Sequence, residues 1–246
     1  MPATHLASRT IIRLSAQKEE EDVVQFLQGL VSQDVTGVLP VWSGLLSPQG
    51  KVLFDFIVWP DGDLRSGSGQ SDVLLDCETS AAEALAKRLG IYRLRRAISI
   101  AVDLNLAVHW RPEPGNDPRL PALGTRWLAA ADSAAASADA AWLAHRLALG
   151  VTEGSAELGL GELLWLECNA AELGGVSFTK GCYIGQENTA RMNWRQKINR
   201  RLLVVPLEQS DTARQRVAYP DLQLAVDHLR VDEIDAALLP AWLQLS

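Results

Sequence analysis

The segment Lys180-Gly181-Cys182-Tyr183-Ile184-Gly185-Gln186-Glu187 sets one cysteine between two glycines, beside a lysine, with a carboxylate five residues further on. A thiol attacks carbon or binds soft metals as the thiolate, and a neighbouring cation favours that form. Glycines permit backbone conformations that a β-carbon forbids. The segment therefore reads as a shaped loop that presents a thiol, with Lys180 placed to tune it or to bind an anion. The competing reading is a structural cysteine at a tight turn, because free cysteine often packs as a small hydrophobe. Gln186 and Glu187 are candidates to hold the loop by hydrogen bonds. Arg191 follows Glu187 by four residues, a spacing that pairs charges on a helix.

Other chemistry is sparse. The four histidines are isolated, there is no C-x-x-C pair, and the three cysteines, Cys77, Cys168 and Cys182, lie far apart. Iron-sulfur ligation usually takes four cysteines, so no resident metal site is expected; one thiol could still meet a cluster at an interface. No glycine-rich phosphate loop with a following lysine and hydroxyl is present. A net charge of -7 argues against bulk nucleic-acid binding. No apolar run reaches membrane-spanning length, and Met1 to Arg9 lacks the apolar centre of a signal peptide. An odd number of dispersed cysteines suits a reducing, cytoplasmic setting.

The elements that must position the loop form a mixed pattern. Thr10 to Leu14 reads as a strand, and Val23, Phe26, Leu27, Leu30 and Val31 make the apolar stripe of a helix. Val41 to Leu46 and Lys51 to Trp59 read as a hairpin about Ser-Pro-Gln-Gly. A strand is expected over Asp72 to Cys77. A helix follows, opened by Ser80 and Glu83 and closed at Gly90. Further strands are expected over Tyr92 to Val102, Leu104 to Trp110 and Arg200 to Leu207, and a helix over about 137–149. Leu163 to Glu167 reads as a short strand or an extended approach to the cysteine loop. Hairpins and helices without regular βαβ alternation make the class α+β.

The cysteine string with Arg191 resembles the signature of the YgfZ-like folate-binding proteins. These are relatives of the glycine-cleavage T-protein (aminomethyltransferase) and include mitochondrial iron-sulfur assembly factors. Ordered matches run over about residues 8 to 205: Phe26-Leu27-Gln28-Gly29-Leu30, Ser47-Pro48-Gln49-Gly50-Lys51, Asp117-Pro118-Arg119-Leu120, Arg146-Leu147-Ala148-Leu149-Gly150-Val151 and Gly174-Gly175-Val176-Ser177-Phe178. The resemblance implies a T-protein-like fold with a folate-binding region over 1–198 and a shortened C-terminal β-barrel over 199–246. It implies tetrahydrofolate or a related reduced folate as cofactor. Trp142 would pack on it, Glu167 would face the pterin, and Asp34, Asp55 and Arg9 are weaker contacts; Arg93, Arg95 and Arg96 could meet the anionic tail. Cys182 would be the working group, with Lys180, Gly181, Tyr183 and Gly185 shaping its loop. Phe54 stands where aminomethyltransferases carry the first of two aspartates, and Asp55 keeps the second, which argues against efficient aminomethyl transfer. The function implied is a monomeric, cytoplasmic, folate-binding factor for assembly or repair of iron-sulfur clusters in client enzymes. Some of those clients modify tRNA, without direct contact of this chain with nucleic acid. An active one-carbon transferase or demethylase, and a non-catalytic scaffold, are the alternatives.

Overall fold

The computed structural model describes residues 3–61, 72–195 and 197–245. Five strands form one antiparallel sheet in the order β2-β3-β4-β1-β5: β1 Arg9–Ala16, β2 Val41–Leu46, β3 Val52–Pro60, β4 Val73–Glu78 and β5 Ile98–Asp103. Side chains alternate between its faces. Ile12, Leu14, Phe56, Val58 and Leu75 pack with α1 (Val23–Gln28) and α2 (Ala82–Arg93) on one side. Ile11, Ile57, Leu74 and Trp42 face the other side and join the larger core. The same alternation sends Arg9, Asp55 and Asp76 to that second face, where three tryptophans, Trp42, Trp142 and Trp165, are also buried.

That second face is covered by the hairpin β6 (Leu106–Arg111) and β7 (Thr125–Ala130), by α3 (Asp139–Ala148) and by the short α4 (Ser155–Leu158). Helix α5 (Gln186–Arg195) follows the cysteine loop. The chain ends in a three-stranded antiparallel sheet, order β8-β10-β9, from β8 Arg200–Pro206, β9 Gln215–Tyr219 and β10 Leu224–Arg230. It has a small core of its own, Leu203, Val205, Ala225 and Leu243.

Several local expectations need correction. Gly90 lies inside α2; the helix runs on to Arg93 and stops at Leu94, which takes the positive φ of 52°. The strand expected from Tyr92 begins only at Ile98, so Arg93 and Arg95 share no strand face. Residues 165–168 form a 3-10 turn ended by Asn169 in the left-handed conformation, rather than a strand. Strands β7 and β9 carry no clean alternation in sequence and were not expected; their pairing with β6 and β10 defines them.

Candidate functional site

On the second face of the large sheet the charged residues find one another. Arg9 donates from Nε to Asp76 Oδ1 at 2.6 Å, and Arg126 donates from Nη1 to Asp76 Oδ2 at 2.8 Å. Arg119 donates to Asp117 at 2.8 Å and to Glu153 at 2.6 Å. Trp142 donates its indole N–H to Glu153 at 3.0 Å, and the Arg126 guanidinium lies 4.6 Å from the Trp142 ring centroid. All six charges are buried, and Arg126 is 0% exposed. Burial alone would raise the Glu153 pKa, but Arg9, Arg119 and Arg126 around it hold the carboxyl well below the usual range. Asp55 sits at the margin, accepting from Trp42 Nε1 and from the Gly154 N–H. Burial pushes its pKa up, against the pull of Arg9.

The residues expected to hold folate are therefore already engaged. Trp142, Arg9 and Asp55 belong to this buried assembly. Glu167 accepts from the Leu164 N–H and lies 3.3 Å from His228 Nε2. Asp34 is capped by Thr36, whose hydroxyl bond comes first among the causes that hold its pKa down. Arg93 donates to the Ile98 carbonyl and Arg96 to Glu21. These residues do not converge on an open cavity, and the space directly beside Asp55 is about 10 Å³, room for about one water.

That space adjoins a wider groove of about 450 Å³, and both are lined by Leu53, Phe54 and Ser155. Ile91 and Leu160 add apolar wall, and Lys87 and Arg88 stand on its lining from α2. The groove thus combines an apolar wall, one aromatic ring and two cations, and Asp55 lines only the small space that adjoins it. Phe54 contributes that ring. Sequence reading missed Lys87 and Arg88, which look like ordinary solvated positions on a helix.

The cysteine loop is built differently. Cys182 is exposed, whereas Cys77 and Cys168 are buried. Burial pushes the Cys77 thiol up to about 12 and the Cys168 thiol well above its usual range. Gly185, at φ +84°, lies so close to Ser47 that a β-carbon would come 2.5 Å from its carbonyl oxygen. Gly181, at φ +99°, has open space around it and is needed for conformation alone. Lys180 does not stand free in solvent. Its ammonium donates to the carbonyls of Val31 at 2.6 Å and Gln33 at 2.9 Å, and lies 5.2 Å from the Tyr183 ring centroid. Burial brings its pKa down to about 8, with Asp34 pulling the other way. Tyr183 is buried under the loop, and the Gln186 N–H donates to the Tyr183 carbonyl. Glu187 and Arg191 pair at 3.1 Å on the exposed face of α5, a contact worth about 0.3–0.5 kcal/mol. Among the described residues no cluster of three or more histidine, cysteine or carboxylate side chains is placed to hold a metal. Chemically, the site is one accessible soft ligand on a braced loop.

No family profile matches the chain. The human mitochondrial iron-sulfur cluster assembly factor IBA57 is 33% identical over 239 residues, covering 81% of this chain and 65% of that protein. The mouse counterpart is 30% identical, covering 82% and 65%, and the Neurospora crassa homologue is 29% identical, covering 81% and 52%. These relatives are named as iron-sulfur cluster assembly factors. The chain spans about half to two thirds of their length. The fold is that of the T-protein: the glycine cleavage aminomethyltransferase T of Bartonella henselae superposes with a TM-score of 0.64 at 13% identity, over 93% of this chain and 78% of that one. The expected cytoplasmic setting is overturned by these assembly factors, which are named as mitochondrial. No helix among the described residues is long and apolar enough to cross a membrane.

Proposed function

We propose that this chain supports iron-sulfur cluster assembly by presenting the Cys182 thiolate as a soft ligand to a cluster held by a partner protein. The observation that carries this reading is the contrast among three thiols: two are sealed in the core, and the third is exposed on a loop braced by Lys180 and fitted closely at Gly185. Thiolates suit iron-sulfur clusters, and one accessible cysteine needs a partner to complete a ligand set. The chain acts as a monomer in this role, and its clients include iron-sulfur enzymes that modify tRNA. A reduced folate occupies the groove beside Phe54, with Lys87 and Arg88 meeting its carboxylates, and Asp55 does not turn it over efficiently. The test is complementation of a strain lacking the native assembly factor. Cys182→Ser should fold normally and fail to restore iron-sulfur enzyme activity; full restoration would demote the thiol to a structural role.

A further inference from the structure

The end of α5 and the start of β8 carry a charge opposite to the rest of the chain. From Glu187 to Arg201 the sequence has five cations, Arg191, Arg195, Lys197, Arg200 and Arg201, and one carboxylate, within a chain of net charge -7. Trp194 lies on this stretch and is 72% exposed. A tryptophan so exposed is unusual, and aromatic residues with arginine are enriched at protein interfaces. Its ring meets Phe178 edge-on, with centroids 6.3 Å apart, and Phe178 leads into the Lys180–Cys182 loop. Beside it a groove of about 430 Å³ is lined by Met192, Trp194, Ile198 and Leu245, with Asn193 and Lys197. Glu172, on the lining of the groove, pairs with the buried Arg201, which takes that arginine out of the free positive charge, and Asp232 and Glu233 pair with Arg230. Lys197 is exposed, and among the described residues Arg191 has only the weak surface pair with Glu187.

We infer that this groove is a docking surface for an acidic, extended segment of a partner protein, an apolar side chain of which enters between Met192, Trp194 and Ile198. The inference rests on the reading of Cys182 as the group shown to a partner, because Trp194 on the groove meets Phe178, which leads into the cysteine loop. Charge complementarity selects the occupant. A positive patch on a negative chain attracts an acidic segment while the remainder of the surface repels it, which speeds and orients encounter. The apolar socket adds what a bare phosphate chain does not use.

The probe is a fluorescein-labelled twelve-residue peptide of aspartate and glutamate with one central leucine, read by anisotropy against the full chain. Binding should weaken at least tenfold in Trp194→Ala, in Arg191→Glu/Lys197→Glu, and in a peptide whose leucine is replaced by serine. It should also weaken as salt rises. Cys182→Ser should bind the peptide like the wild type. Loss of complementation by Cys182→Ser with peptide binding intact keeps both proposals; full complementation by Cys182→Ser removes the thiol's role without touching the groove. Peptide affinity unchanged in both groove variants overturns the docking surface. So does tighter binding of a twelve-nucleotide single-stranded RNA that is lost in the same variants, because the patch would then be a nucleic-acid site.

Discussion

Lys180 and Val31 are 149 positions apart in sequence and 2.6 Å apart in space, ammonium to carbonyl oxygen. With the second bond to Gln33, this contact ties the cysteine loop to the turn that follows α1. The lysine beside the thiol is thus a brace. Replacing it with methionine leaves two carbonyls without their donor, at a cost of about 1–3 kcal/mol. Lys180→Met should lower the melting temperature and open the loop to protease, with cleavage mapping near residues 179–185. A variant as resistant as the wild type would show that the loop stands without this brace.

The three cysteines should separate by rate of alkylation. Cys182 is exposed; Cys77 and Cys168 are buried, and their thiolates are disfavoured by that burial. With iodoacetamide at pH 7.5, mass spectrometry of the native chain should find Cys182 modified first, and the other two only after denaturant is added. Equal rates for all three would contradict the placement of this loop.

Glu153 sits among Arg9, Arg119 and Arg126, and removing one partner of a buried ionic group leaves the others uncompensated. Glu153→Gln should cost about 3–5 kcal/mol at neutral pH. Because its folded pKa is depressed, the stability it contributes is present above the ordinary glutamate value of 4.5 and is lost as pH falls through the folded value. The deficit of the variant in urea melts should therefore shrink below about pH 4.5. A deficit constant from pH 7 to pH 3 would mean that the charge is not what stabilises the cluster.

Folate should reach the groove between α2 and α4 and leave the tryptophan cluster untouched. Calorimetry with tetrahydrofolate should give micromolar affinity, roughly -8 kcal/mol. Phe54→Ala and Lys87→Glu should each weaken it about tenfold, while Trp142→Ala should unfold the chain before it reports on binding. Absence of heat at millimolar folate would remove the cofactor and leave a folate-free scaffold.

The large sheet and the cysteine loop were largely legible in sequence. The β-branched run Thr10-Ile11-Ile12 in β1 and the turn residues Ser47-Pro48-Gln49-Gly50 before β3 announce the strands, and glycines flanking Cys182 announce a presented thiol. What sequence hid was partnership. Nothing local shows that Arg126, in an irregular strand, meets Asp76 fifty residues earlier, or that Lys180 reaches back to Val31. Trp142 reads equally as a ligand platform or as core, and only its bond to Glu153 places it in the core. Gly90 carries the composition of a helix stop, but it keeps a helical backbone and α2 runs on to Arg93.

The buried assembly of Arg9, Asp76, Asp117, Arg119, Arg126 and Glu153 balances three positive charges against three negative ones. A single substitution at any of these positions strands an opposite charge, so the route to an uncharged centre passes through severely weakened intermediates. Lineages descended from this chain should therefore keep all six residues or exchange them together. Drift between those extremes is confined to the surface, where the basic end of α5 can change one residue at a time.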